Sequence, residues 1–230
     1  TVMEEDGRYA LNFGGPGSGL AELDNPVSLA VAPNGNVYVA DQEKQAVLVF
    51  NGGGGYLYTI ADKQAGSFIP LTVKIDKKGS VYVFDAAAQK FRVYDSAGKQ
   101  IKTFPANAIE KFENITALDL DPRDERAFGV NPGKRSYYEF RGNSLKTFGE
   151  DRLVNPQGIV YNRSKKVVMI SDGYKNKIVV FARDGTYLGE FGRIGDGMGD
   201  FRNPAGLAFD ERGKLYVADK DNNRVVIYTY

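Results

Sequence analysis

The chain contains neither cysteine nor histidine. Without cysteine it forms no disulfide and no thiolate metal site, and its redox compartment stays open. Without histidine it holds no Ser-His-Asp triad, no Cys-His pair, no histidine-ligated zinc and no imidazole base. It also lacks an apolar run near the roughly 20 residues that a membrane-spanning helix needs, so no membrane insertion is expected. Net charge is nearly absent: 30 Lys and Arg stand against 29 Asp and Glu, leaving +1. The charges are unevenly spread. Residues 1–70 carry three basic and eight acidic side chains, and residues 123–193 carry fourteen and eight. Such a division implies an uneven surface potential.

The 230 residues suffice for a sizeable core, and 14 Phe with 14 Tyr favour strands over helices. The first residue is Thr1, as expected of a processed or excised piece. The stretch FGRIGDGMGDFRNPAGLAF, Phe191 to Phe209, holds Gly192, Gly195, Gly197 and Gly199 in its first nine residues. Glycines at this density can cradle a phosphate with backbone N–H groups. The same pattern occurs near the N-terminus as FGGPGSGLAELDNPVSLAV, Phe13 to Val31. In both places Asn-Pro follows the Phe by twelve residues and leads into an alternating apolar run.

That run occurs five times, at Asn25–Asp41, Ile69–Asp85, Asn114–Asn131, Asn155–Asp172 and Asn203–Asp219. The end markers 41, 85, 131, 172 and 219 are spaced by 44, 46, 41 and 47 residues. Each copy reads as an alternating strand, a tight turn such as Asn34-Gly35, Lys78-Gly79 or Arg212-Gly213, and a VYVAD-type strand. A third strand (AVLVF, FRVYD, YYEF, IVVF, VVIY) and a fourth (YLYTI, YLGEF) follow. Four-stranded units at this period predict an all-β fold, a β-propeller of five four-stranded blades; a β-sandwich is the competing fold. The last copy stops after its third strand, and DGRYALNFG (Asp6–Gly14) matches DGTYLGEFG (Asp184–Gly192). The N-terminal strand is therefore expected to close the C-terminal blade.

The pattern Asn-Pro-x-Gly-aliphatic-Ala, a turn, Tyr-Val-Ala-Asp, then Asn and Arg resembles the NHL repeat. The fifth copy carries it most fully in Asn203-Pro204-Ala205-Gly206-Leu207-Ala208, Leu215-Tyr216-Val217-Ala218-Asp219, Asn222 and Arg224-Val225. The third copy departs furthest, with Ile115 at the Pro position and Asn131 at the Asp position. The resemblance covers nearly the whole chain and implies one propeller domain over 1–230. NHL propellers most often have six blades, so the five counted here imply a five-bladed ring or part of something larger. The resemblance also points to bacterial proteins outside the cytoplasm, periplasmic or secreted.

The glycine-rich stretch lies each time between an outer strand and the next inner strand. Dinucleotide and P-loop glycines instead precede a helix, and no Gly-Lys-Ser/Thr follows here. The glycines are read as a long connection, and no cofactor is expected. Asp41, Asp85, Asp172 and Asp219 form either a carboxylate ring for a cation or, by preference, strand-end caps of the repeat. Asp219 is expected to pair with Arg224, and Asp172 with Lys177. The segment Asp219–Arg224 has the start of a calcium loop, but Arg224 holds the place where an EF-hand needs glycine. No metal is expected. Small residues recur at one inner-strand position: Ser28, Thr72, Ala117, Gly158 and Gly206. They reflect crowding at the axis or a small-ligand channel. NIT at Asn114 and NRS at Asn162 match the glycosylation pattern by composition only.

The turns between second and third strands gather Lys134, Arg135, Tyr174, Lys175, Lys177, Lys220 and Arg224. Three functional readings follow, the first two on that face. The first is a non-catalytic scaffold binding a protein or peptide as a monomeric domain. The second is RNA binding through a basic patch. The third is a lyase or hydrolase working without histidine on a small ligand in the axial channel. The lyases and hydrolases that the resemblance brings to mind rely on histidine, so no enzyme activity is expected.

Overall fold

The structure is a computed structural model describing residues 1–3, 8–61, 67–105, 115–121, 123, 125–141, 144–210 and 212–229. The chain divides into two compact units, Thr1–Asn107 and Ala108–Tyr230. In the first, β1 (Val2–Met3) and β2 (Tyr9–Leu11) form a two-stranded sheet. Sheet 1 follows, with β3 (Pro26–Val31), β4 (Val37–Asp41), β5 (Ala46–Phe50) and β6 (Tyr56–Ile60) in sequence order. Sheet 2 repeats the arrangement with β7 (Pro70–Ile75), β8 (Val81–Asp85), β9 (Lys90–Tyr94) and β10 (Gln100–Pro105).

In the second unit, sheet 3 holds β11 (Ala117–Asp121), β12 (Arg126–Asn131), β13 (Ser136–Arg141) and β14 (Ser144–Phe148). Sheet 4 holds β15 (Pro156–Asn162), β16 (Val167–Asp172), β17 (Lys177–Ala182) and β18 (Tyr187–Phe191). Sheet 5 holds β19 (Pro204–Phe209), β20 (Lys214–Asp219) and β21 (Arg224–Thr229). Every pairing is antiparallel, and the fold is an all-β, five-bladed β-propeller.

The expected strand closure needs a correction. Tyr9–Leu11 is paired with Val2–Met3, and sheet 5 has three strands among the described residues. A partner a few residues away carries less loop-closure entropy than one two hundred residues away.

Local chemistry sets the strand boundaries. Gly35 and Gly213 sit at φ near +82°, the left-handed region that a tight hairpin turn requires. Each turn into a third strand ends on a left-handed residue, namely Gln45, Gln89, Arg135, Asn176 or Asn223. The turns thus share one shape with different side chains, which suits display of variable residues. Packing lies between successive sheets. Tyr38, Val47, Val49 and Ile60 of sheet 1 meet Val73, Val81, Val83 and Tyr94 of sheet 2. Phe128, Val130 and Tyr137 of sheet 3 meet Ile159, Val168, Ile170, Val179 and Phe181 of sheet 4. Val160, Met169, Ile178 and Val180 of sheet 4 then meet Phe201 of the following connection and Leu215 and Val217 of sheet 5.

Candidate functional site

The repeated aspartates bind the ends of each sheet together. Asp41 accepts backbone hydrogen bonds from Asp24 (2.7 Å), Asn25 (3.1 Å) and Lys44 (3.1 Å). Asp172 accepts from Val154 (2.6 Å), Asn155 (3.2 Å) and Lys175 (3.1 Å). Asp85 accepts from the Ile69, Ala87 and Ala88 amides and from Arg92 Nε at 2.9 Å. Asp219 accepts from the Arg202 amide (2.6 Å), Asn222 Nδ2 (2.7 Å) and Arg224 Nε (2.8 Å). Asn131, standing in for aspartate in sheet 3, accepts from the Lys134 amide at 3.0 Å. Each carboxylate is buried, and its donors come from the incoming connection and the outgoing turn. Among the described residues no three His, Cys, Asp or Glu side chains come together as a metal-ligand set.

The glycine-rich connection folds back on itself by a parallel bridge between Ile194 and Phe201, and its twin does so between Pro16 and Leu23. In its glycine-rich part, the carbonyls accept from neighbouring side chains. Arg224 donates to the carbonyls of Asp196 (2.6 Å), Gly197 (3.1 Å) and Asp200 (3.0 Å), and Asn222 Nδ2 to that of Gly195 (2.9 Å). In the twin, Lys44 Nζ donates to Gly19 O at 2.7 Å. Arg224 therefore holds this loop onto sheet 5.

The other basic residues are placed unequally. Lys175 and Lys177 converge on Glu190, each with an Nζ–O distance of 2.5 Å. Lys177 thus pairs with Glu190, although it stands opposite Asp172 in the strand register. Lys134 and Arg135 lie exposed in the sheet 3 turn, and Lys220 lies exposed in the sheet 5 turn. Burial opposes ionisation of Glu190, but hydrogen bonds and positive charge from Lys175 and Lys177 prevail and hold its carboxyl below the usual range. The same hydrogen bond, donated to Glu190, raises the Lys177 ammonium. A depressed carboxylate contributes stability above its unfolded-state value and loses it as pH falls through the folded-state value. Glu190→Gln is accordingly expected to destabilise the protein near neutral pH, with the difference from wild type shrinking towards about pH 2. Urea unfolding of both proteins across that range measures it.

One feature was not legible in sequence. The turn of sheet 4, the glycine-rich connection and the turn of sheet 5 enclose an open pocket of about 490 Å³. Its lining comprises Asn155, Gly173, Tyr174, Asn176, Ile194, Arg202, Asn203 and Asp221. The amides are already oriented. Asn176 Oδ1 accepts from the Asn203 amide (2.9 Å), Asn203 Nδ2 donates to Asp221 (3.3 Å), and Asn155 Oδ1 accepts from Gln157 Nε2 (2.9 Å). Gly173 is fixed by close approach, since a Cβ there would lie 2.5 Å from Asn203 Oδ1. Tyr174 is 75% exposed and Ile194 is also exposed. Of the candidate binding residues named from sequence, only Tyr174 lines this pocket; Asn155 and Asn203 belong to the repeat motif.

The small inner-strand residues sit where inner strands touch. Ser28 Oγ lies 3.3 Å from Thr72 Oγ1, and Ser171 Oγ joins Gly158 N to Ala205 O. Asn162 is buried and caps its own turn through Ser164 Oγ and the Lys165 amide; Asn114 lies outside the described residues.

The NHL repeat profile matches residues 23–50 and 201–228, which carry the stapling Asp41 and Asp219 with their strands. The chain carries NHL repeats in a five-bladed β-propeller. Similar solved structures share the fold at low identity. A chain of a nidogen/laminin complex is 15% identical with a TM-score of 0.64, over 88% of this chain and 74% of that one. The hydrazine synthase of Kuenenia stuttgartiensis is 17% identical with a TM-score of 0.63, over 90% and 65%. A streptogramin B lyase is 10% identical with a TM-score of 0.62, over 89% and 70%. A chain of a protein complex and chains of enzymes share this propeller fold, so the site, not the fold, has to carry the functional argument. No helix among the described residues is long and apolar enough to cross a membrane.

Proposed function

We propose that this NHL-type propeller is a non-catalytic binding scaffold that takes a peptide segment of a protein partner in the pocket beside Tyr174. The observation that carries this reading is the combination of exposed Tyr174 and Ile194 on the rim with pre-oriented asparagine amides around them. An extended peptide presents alternating donors and acceptors, which side-chain amides match in both senses. The tyrosine offers a large, rigid contact surface at low entropic cost. Arg202 and Asp221 add one charge of each sign, which suits a polar, net-neutral ligand segment. The volume lies within the range of ordinary ligand pockets.

The basic-patch reading has less to support it, because its cations are already engaged. Arg224 is held by Asp219 and three carbonyls, and Lys175 with Lys177 by Glu190. Selection from a displayed random-peptide library, followed by titration of the enriched peptides, tests the proposal. Tyr174→Ala is expected to weaken binding by about tenfold or more, the size of a central aromatic anchor. Lys134→Ala with Arg135→Ala should leave it within about twofold. Equal loss in both variants, falling steeply with salt, would favour the nucleic-acid reading instead.

A further inference from the structure

We infer that the pocket beside Tyr174 selects a carboxylate-bearing peptide segment, and that Arg202 receives an Asp or Glu side chain of that segment. This assignment rests on the peptide reading of the pocket and names the feature by which the peptide is recognised.

The first observation is an uncommitted cation. Arg202 is exposed and lines the pocket, and among the described residues its guanidinium has no ion pair or hydrogen bond. Other arginines of the same unit are engaged. Arg193 pairs with Asp200 at 2.8 Å, Arg224 with Asp219 and three carbonyls, and Arg152 with Asp151 and the face of Tyr187. A guanidinium without a partner offers a planar fork of donors that matches a carboxylate. The repeat does not ask for arginine here. Asp24 and Val154 hold the same position in the first and fourth copies, and all three residues meet the repeat aspartate through the backbone amide.

The second observation is a departure of the backbone from the repeat at the same point. Asn25 and Asn155 donate their amides to Asp41 and Asp172. Asn203, their counterpart, donates to Asn176 Oδ1 of the sheet 4 turn at 2.9 Å. The carbonyls of Asn25 and Asn155 accept from Gln42 and Gly173, the residues directly after the aspartates. In sheet 5 the Arg202 carbonyl accepts instead, from the Asp221 amide one residue further on, at 3.1 Å. Asn203 makes this diversion by sitting at φ +52°, in the left-handed region that asparagine tolerates better than most residues. The copy nearest to the NHL pattern in sequence thus leaves the shared geometry at the pocket wall. Arg202 is pinned there through both its amide and its carbonyl. A local conformation that the repeat does not need, at the edge of a pocket, points to the ligand.

Asp221 sharpens the selection. It lines the same pocket with its carboxylate on Asn203 Nδ2, and it forms no ion pair with Arg202. A partner carboxylate is attracted at Arg202 and repelled at Asp221, so the two charges dictate one placement. The same segment meets Asp221 with a donor. The pocket is open, so a backbone held by the asparagine amides runs on past it, and the carboxylate comes from a side chain rather than a chain end.

The probes are two pools of short peptides, acetylated and amidated at their ends, that differ only in a fixed central Glu or Gln. Peptides from the Glu pool are expected to bind about tenfold more tightly, and Arg202→Gln to remove that preference. Arg202→Lys should keep part of it, since the charge stays but the fork is lost. Glutamine retains both backbone hydrogen bonds of residue 202, so the thermal midpoint of Arg202→Gln should match wild type. Lys220→Gln, which removes an exposed cation outside the pocket lining, should keep the full preference. For one enriched peptide, replacing its Glu by Gln and making Arg202→Gln together should cost no more than either change alone, the mark of a direct pair. Additive losses, or equal binding of the two pools, would overturn the inference; if Tyr174→Ala still removes binding, the peptide reading of the pocket survives. Binding unaffected by Tyr174→Ala overturns both. A Gln pool with free C-terminal carboxylates that matches the Glu pool would overturn it in favour of a site for chain ends.

Discussion

Asp85→Ala is expected to lower the free energy of unfolding by roughly 3–5 kcal/mol, the usual cost of leaving one partner of a buried ion pair alone. Asp85 and Arg92 are both buried, with Arg92 Nη2 at 2.7 Å from Asp85 Oδ2. The substitution leaves the guanidinium without its carboxylate and also removes the acceptor for the Ile69, Ala87 and Ala88 amides. The reverse change should be much milder. Asp41 and Asp172 occupy the same place in their sheets with backbone donors alone. Leu48 and Val179 occupy the place of Arg92 as buried aliphatics. Arg92→Leu is therefore expected to cost about 1–2 kcal/mol, since the remaining carboxylate keeps its three amides. Denaturant unfolding of the two variants measures the asymmetry. Equal losses would mean that the pair, not the backbone cap, is what the repeat position maintains.

Gly158→Ala should cost roughly 3 kcal/mol, at the upper end of overpacking effects. A Cβ at this position would lie 2.2 Å from the Ala205 carbonyl oxygen and 3.0 Å from Ser171 Oγ. The first neighbour is backbone of the adjacent inner strand and has no rotamer to escape into. Ser171 Oγ, which accepts from Gly158 N at 2.8 Å and donates to Ala205 O at 2.5 Å, would be displaced with it. Gly206, the matching residue of sheet 5, gives the contrast. Its nearest neighbour would be Ala218 Cβ at 3.9 Å, ordinary contact distance, and its φ lies outside the left-handed region. Gly206→Ala is expected to fall within about 0.5 kcal/mol of wild type. Thermal and urea unfolding of the pair separate steric crowding from any general intolerance of side chains on inner strands.

Much of the fold is legible because each blade repeats its own punctuation. Asn34-Gly35 and Arg212-Gly213 mark hairpin turns, and an aspartate ends each VYVAD-type strand. What those aspartates hold is less legible. Their donors lie some 16 to 18 residues upstream, as with Val154 and Asn155 for Asp172, and become neighbours only once the sheet has formed. Glu190 is a similar case. Nothing local marks it as the partner of Lys175 and Lys177, because the pairing depends on the β17–β18 register. The N-terminal strand was readable as a fourth strand by its likeness to residues 184–192, but not its partner. Val2–Met3 is too short to show a period-2 pattern. The pocket beside Tyr174 could not be read at all, since its lining comes from four separate connections.

Amide chemical-shift mapping with a peptide enriched against the protein tests the central claim most directly. The pocket reading predicts saturable shifts centred on Gly173, Tyr174, Asn176, Ile194 and Asn203, lost in Tyr174→Ala while that variant stays folded. Shifts centred on Lys134, Arg135 and Lys220, with the pocket amides unmoved, would contradict it.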